Sequence, residues 1–194
     1  MNGVRLLAIF WILCSAGCAA PEARQPPAAD RSRVVGAISD WTLLGRLALS
    51  NGRDGGSGQL TWRQGPQRSD LKFIGTLGRG SWRLQVTEEA VELETAETGL
   101  LRAPDVETLV RDQLGWEIPF DSMRYWVLGM LDPGRQGTDS FDHRGRLLRL
   151  RQAGWLVEYH GWIEVEGVWL PRKVSASQAD DRVRILVKSW TVSG

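Results

Sequence analysis

The chain has 194 residues, with 24 Lys and Arg against 23 Asp and Glu and a formal net charge of +1. Both signs are interspersed, so no run of basic residues marks a nucleic-acid patch or a polybasic membrane segment. Ten tryptophans stand against two tyrosines, and indole suits an apolar wall or a membrane interface as well as a core.

The first residues read as an export signal. Arg5 gives a short positive start, and Leu6 to Leu13 is an apolar run far below the ~20 residues needed to span a bilayer. Ser15, Ala16 and Gly17 then lead into Cys18, as in a bacterial lipobox, where cleavage precedes the cysteine and its thiol is acylated. Ser15 stands where such boxes usually carry Leu. Cys14 fits worse, because Trp11, Ile12 and Leu13 are too bulky for the cleavage pocket. The expected divisions are a signal at 1–17, a lipid-anchored flexible tether at 18–38 with Pro21, Pro26 and Pro27, and a folded domain at 39–194. The two cysteines both lie in the signal region, so the folded part has no disulfide or Cys-based metal site. It must be stabilised by its own core, for which about 175 residues suffice.

From Trp41 the apolar residues recur with period two. Leu43, Gly45, Leu47 and Leu49 share one face, then Leu60 and Trp62 after a glycine-rich turn, then Leu71 to Ile74. Trp82, Leu84 and Val86 alternate with polar residues, as do Val91 and Leu93 with Glu92 and Glu94. These are strands of an antiparallel meander. The period changes at Pro104. Asp105 to Gly115 reads as a helix with stripe Val106, Leu109 and Val110, and a second begins at Asp121, a candidate N-cap, with Met123, Trp126, Val127 and Met130 on one side. Strands return with Leu148 and Leu150, with Trp155, Val157 and Tyr159, with Val168 to Ser175, where Pro171 argues for an edge or bulge, and with Val183, Ile185 and Val187. Two architectures fit: an open, strongly curved antiparallel sheet with helices over its concave face, or a closed eight-stranded barrel with a helical insert.

Catalytic signatures are missing. His143 and His160 have no metal-ligand spacing, and no nucleophile elbow, P-loop or dinucleotide fingerprint occurs. Glu88, Glu89, Glu92, Glu94 and Glu97 read as a solvated surface. No enzyme and no cofactor is expected.

One segment does not suit a soluble surface. Gly75-Thr76-Leu77-Gly78-Arg79-Gly80 lies between two strands, where a polar tip belongs. The glycines allow a tight protruding turn. Leu77 either folds back on the sheet or stands out, where burial in lipid is worth about 1.5–3 kcal/mol and Arg79 can meet anionic headgroups.

Three stretches together resemble the LolB family of outer-membrane lipoprotein receptors: LKFIGTLGRGSWRLQV, IPFDSMRYWVLG and LPRKVSASQADDRVRILVKSW. The likeness runs from about Trp41 to Val192. It implies an incomplete, open antiparallel β-barrel with short helices forming a lid over an apolar cavity. It implies a monomeric receptor that accepts acylated lipoproteins from a soluble periplasmic carrier, LolA, and inserts them into the outer membrane, where the receptor is itself anchored through Cys18. The family's protruding leucine maps onto Leu77, in a membrane-insertion loop with Gly78 and Arg79; the family tip often reads Pro-Leu-Gly, and here Thr76 replaces the proline. Ala19 after Cys18, rather than Asp, agrees with outer-membrane sorting. The inward-facing residues expected to line an acyl-chain cavity are Leu60, Trp62, Phe73, Trp82, Leu84, Val86, Val91 and Leu93, with Met123, Trp126 and Val127 from the lid. The alternative is a structural envelope lipoprotein that scaffolds an assembly complex, with a packed interior.

Overall fold

The computed structural model describes residues 28–78, 80–143 and 146–193. The signal, Cys18 and Arg79 lie outside them.

Six strands follow one another first: β1 (Asp40–Ser50), β2 (Gly55–Gln64), β3 (Arg68–Gly75), β4 (Trp82–Thr87), β5 (Val91–Thr95) and β6 (Gly99–Ala103). Two helices come next, α2 (Val106–Leu114) and α3 (Phe120–Trp126), after an N-terminal helix α1 (Ala28–Gly36). The remaining strands are β7 (Gly137–Phe141), β8 (Leu147–Gln152), β9 (Trp155–Tyr159), β10 (Trp162–Val165), β11 (Val168–Pro171), β12 (Lys173–Gln178) and β13 (Asp181–Ser193). Eleven strands form one sheet in the order β6-β5-β4-β3-β2-β1-β13-β12-β9-β8-β7, and β10 and β11 form a separate hairpin. The edge strands β6 and β7 do not pair with each other, so the barrel is open and the closed eight-stranded alternative is not realised. The chain leaves one edge at β6, runs through α2 and α3, and enters the other edge at β7. The helical lid therefore connects the two free edges.

The apolar alternation produces the inner face. Trp41, Leu43, Leu47, Leu49, Leu60, Trp62, Leu84, Leu93, Val183 and Ile185 are all buried, each worth about 1.5–3 kcal/mol relative to exposure. Two irregularities reverse that alternation. In β13 the register against β1 shifts between Leu44 and Gly45, which leaves Lys188 as the extra residue. Val183, Ile185 and Val187 point in before it, Trp190 and Val192 after it. Gly45 makes this possible: a Cβ there would collide with the Leu186 carbonyl oxygen. A second shift, between Ser140 and Phe141, leaves Leu148 as the extra residue in β8. Leu148 is exposed and Leu147 is buried in its place, which corrects the expected pairing of Leu148 with Leu150.

Three other expectations are corrected. The division 18–38 reads as a flexible tether, yet 28–36 is a helix, with Val35 and Arg31 buried. The Arg31 guanidinium donates to the Gly129 carbonyl at 2.5 Å, to Leu128 at 2.9 Å and to Trp169 at 3.2 Å. It also lies 4.4 Å over the Trp162 ring. Burial lowers its pKa to about 10, which leaves it charged at neutral pH. Asp121 is not the N-cap of α3; Pro119 holds that position without a side-chain cap, and Asp121 falls in the first turn. The expected strand Val168 to Ser175 is broken at Arg172 into β11 and β12, with Pro171 closing the hairpin. The ends of α2 are as read: Asp105 accepts from the Thr108 amide at 2.7 Å, and Gly115 caps the other end at φ 71°.

Candidate functional site

The inner face of the sheet and the lid enclose an apolar cavity of about 50 Å³. Its walls come from β1 (Leu47, Leu49), β2 (Leu60, Trp62), β3 (Leu71), β4 (Trp82, Leu84) and β13 (Val183, Ile185). Its roof comes from Val110 and Leu114 of α2, Trp116 and Ile118 of the connector, and Phe120 and Met123 of α3. Cavities that hold drug-sized ligands measure about 300–1,000 Å³, so the lid side chains nearly fill the space in this state.

The lid is fastened unevenly. The Trp126 indole N–H donates to Gln152 Oε1 of β8 at 2.9 Å, and the Tyr159 hydroxyl of β9 donates to the Trp126 carbonyl at 2.9 Å. Burial raises the Tyr159 pKa, so the hydroxyl keeps its proton. Phe120 stacks on Trp62 at 5.7 Å. The connector between α2 and α3 has no regular structure, and Leu114, Trp116 and Ile118 are only half-buried. At its start, Asn51 Nδ2 of the β1–β2 turn donates to the Gly115 carbonyl at 3.2 Å.

Beside the connector, the cavity meets a cleft of about 740 Å³, and Leu49, Trp82, Leu114 and Trp116 line both. The far wall of the cleft is Gly75, Thr76 and Gly80, the base of the β3–β4 tip. At the summit of that tip, Leu77 is 92% exposed. The sequence left its direction open; the structure places it outward. Its backbone is left-handed, φ 59° and ψ 24°, which costs a leucine roughly 1–2 kcal/mol. Local bonds hold it there. Ser81 Oγ accepts from the Gly75 amide at 3.2 Å and donates to the Gly78 carbonyl at 2.9 Å. Thr76 Oγ1 donates to the Ser57 carbonyl of β2 at 2.9 Å, a fastening that a proline at this position would lack.

The expected cavity residues divide. Leu60, Trp62, Trp82, Leu84 and Met123 line the cavity, and Phe73 lines the cleft, its ring 5.3 Å from Trp82. Val91 and Leu93 are buried on β5, the side on which α2 packs. Val86 is half-buried on β4. Trp126 and Val127 are fully buried core residues, with Trp126 against Trp155 at 6.2 Å. The sequence reading missed Leu71, the β1 and β13 walls, and most of the roof. Leu47, Leu49, Val183 and Ile185 carried the signal of alternation, but not that their strands are neighbours.

A family model described as outer membrane lipoprotein LolB matches residues 39–190. The chain belongs to the LolB family. It is 34% identical to an outer-membrane lipoprotein LolB of Pseudomonas fluorescens, over 95% of this chain and 94% of the relative. A relative of the same name from Alkalilimnicola ehrlichii is 38% identical, over 89% of this chain and 86% of its own. Among solved structures, the LolA superfamily protein NE2245 of Nitrosomonas europaea superposes with a TM-score of 0.51 at 6% identity, covering 88% of this chain and 95% of that one. That likeness concerns the fold alone, an open curved sheet with a helical lid.

Proposed function

We propose that this chain is an outer-membrane receptor that accepts acylated lipoproteins from the soluble periplasmic carrier LolA. It shields their acyl chains under the lid and releases them into the bilayer beside Leu77. One observation carries this reading: the apolar cavity meets a cleft whose far wall is the base of an exposed apolar tip. An acyl chain in water costs about 0.8 kcal/mol per exposed methylene, so transfer needs a continuous apolar route. The cavity, the apolar side of the cleft (Leu49, Phe73, Trp82, Leu114 and Trp116) and the tip lie in sequence along such a route, while Asp54, Ser57, Thr76 and Gln113 make the rest of the cleft polar. Room for the chain comes from the connector. Lifting Leu114, Trp116 and Ile118 joins cavity to cleft, while α3 stays fastened through Trp126. No covalent step is required, and direction follows from affinity rising from carrier to receptor to membrane. Acylated Cys18 keeps the body at the bilayer and raises the local concentration of the tip; Leu77 performs the handover.

The scaffold alternative asks for a packed interior that takes no ligand. Photo-crosslinking separates the two. The full chain, reconstituted in vesicles with a photoreactive residue at Leu60, Met123 or Val91, is mixed with a carrier loaded with acylated lipoprotein. Crosslinks to the acylated form at 60 and 123, weaker ones at 91 and none to the unacylated form are expected. Failure of both 60 and 123 to crosslink while delivery proceeds overturns the cavity reading.

A further inference from the structure

The chain has only three lysines, Lys72, Lys173 and Lys188. Although far apart in sequence, all three fall on the outer face of five adjacent strands, β3, β2, β1, β13 and β12. The ladder register makes this concrete. Ile74 pairs with Gln59, Gln59 with Arg46, Arg46 with Leu186, and Leu186 with Lys173, which gives one row across the sheet. The row begins at Ile74, one residue before the β3–β4 tip turns out. Arg184 and Lys188 flank Leu186 along β13, and Lys72 lies across Thr61 from Leu44. A groove of about 680 Å³ runs along Leu44, Arg46, Leu186 and Lys188.

Cations outnumber carboxylates on this face; the acid at its border, Glu158 of β9, lines a groove with Lys173 and Arg184 and lies 3.8 Å from Arg149. Arg46, Lys72, Lys173, Arg184 and Lys188 make no ion pair among the described residues. Outward positions on the five strands hold two carboxylates. Asp70 is taken by Arg83 at 2.5 Å and by Arg68 at 3.6 Å, and Asp40 sits at the end of β1 away from the tip. With a net charge of +1 for the whole chain, the excess here is balanced by acids elsewhere. The charges that look interspersed in the sequence are segregated in space.

Leu44, Ile74 and Leu186 are 41%, 42% and 47% exposed. They stand singly among the cations rather than merging into the contiguous apolar centre that a protein interface buries. A bilayer surface suits that alternation: phosphates meet the cations while single apolar side chains reach the boundary below. We propose that this outer face is a contact surface for anionic phospholipid bilayers, continuous with the Leu77 tip. The proposal rests on the reading that Leu77 enters the membrane, and it gives the cations a separate role. They lay the body against anionic headgroups, while the leucine inserts.

The lysines make the face measurable. The full lipid-anchored chain is reconstituted into vesicles of phosphatidylcholine alone or with phosphatidylglycerol, and lysine acetylation is followed by mass spectrometry. The anchor holds the protein on both kinds of vesicle. Arg111→Lys, on the exposed side of α2, serves as an internal reference. Acetylation of Lys72, Lys173 and Lys188 is expected to slow about fivefold on the anionic vesicles, the factor for about 1 kcal/mol per basic residue at such a surface. The reference lysine is expected not to slow, and 0.5 M salt should abolish the difference through screening, with a Debye length of about 4 Å at that ionic strength. Equal rates on both vesicles overturn the proposal. So does equal slowing of the reference lysine, slowing by free glycerol phosphate, or slowing that appears only when an acidic protein is added. A parallel Leu77→Glu chain keeps the readings apart. If it delivers lipoproteins normally while the lysines stay protected, the tip reading fails and the face stands. If wild type delivers, Leu77→Glu does not, and the lysines are unprotected, the face fails and the tip stands.

Discussion

Replacing Arg31 with leucine removes one buried cation and the donors to three carbonyls at once. Those carbonyls belong to Leu128 and Gly129, just beyond α3, and to Trp169 in the β10–β11 hairpin. No carboxylate among the described residues shares the site, so the charge rests on main-chain oxygens and the Trp162 face. A buried acceptor that loses its partner costs about 1–3 kcal/mol, and the cation–π contact adds about 1. Against this, leucine avoids the cost of burying a guanidinium, which is several kcal/mol. The net loss should be about 2–4 kcal/mol, and it should be local, because Arg31 ties α1 to the end of α3 and to the β10–β11 hairpin. Urea unfolding of the full chain reads the first quantity. Tryptic cleavage after Arg33 reads the second, since that bond becomes accessible only when α1 detaches. Arg31→Lys should fall between, because an ammonium cannot fork to the same carbonyls. A loss under about 0.5 kcal/mol with α1 still protected from trypsin would refute the reasoning.

Three further outcomes follow from the same geometry. Leu77→Glu should leave the urea midpoint unchanged and abolish delivery to vesicles, whereas Leu77→Gly should gain up to about 1 kcal/mol by removing left-handed strain yet still deliver poorly; a Leu77→Gly chain that delivers at the wild-type rate sinks the insertion role. Gly45→Ala should destabilise by about 1–3 kcal/mol through the clash with the Leu186 carbonyl, and a neutral effect would show that the β1–β13 irregularity yields easily. Burial alone would raise the Asp70 carboxyl, but hydrogen bonds from Arg83 and Gln85 and the charges of Arg83 and Arg68 outweigh it, so its pKa lies below 3.8. Its contribution is present above pH 3.8 and is lost as pH falls through the folded value. Asp70→Asn should therefore lower stability at neutral pH, by about 0.5–1 kcal/mol because Arg83 is half exposed, and should flatten the acid limb of the stability curve; an unchanged acid limb contradicts the assignment.

The strands were legible where the pleat is regular. Trp41 to Leu49, Leu60 with Trp62, and Val91 with Leu93 alternate in the sequence and lie buried on one face in the structure. The reading failed where one extra residue reverses the pleat. Nothing near Leu148 or Lys188 announces that a partner strand skips it. Helix α1 was missed for a different reason. Its stretch is rich in Ala, Pro and charge, and it is ordered by contacts distant in sequence, above all those of Arg31. The site was half legible. Leu60, Trp62, Trp82, Leu84 and Met123 follow from facing direction alone, but Val183 and Ile185 join them only because β13 lies beside β1. Direction at the tip needed the φ angle of Leu77, and the basic face needed the strand order.

The seam between β1 and β13 has a consequence for how the molecule comes to exist. It pairs Ser50 with Arg182 and Asp40 with Ser193, so the middle of the sheet is built from the first and the last strands of the chain. Neither half can hand its central edge to a neighbour until the thirteenth strand has been delivered. Contacts of such long range are slow to form, and an unpaired central edge invites wrong partners. The seam therefore closes only after the last strand is available, whereas the hairpins on either side of it are local. A truncation that removed β13 would leave two sticky half-sheets rather than a smaller receptor.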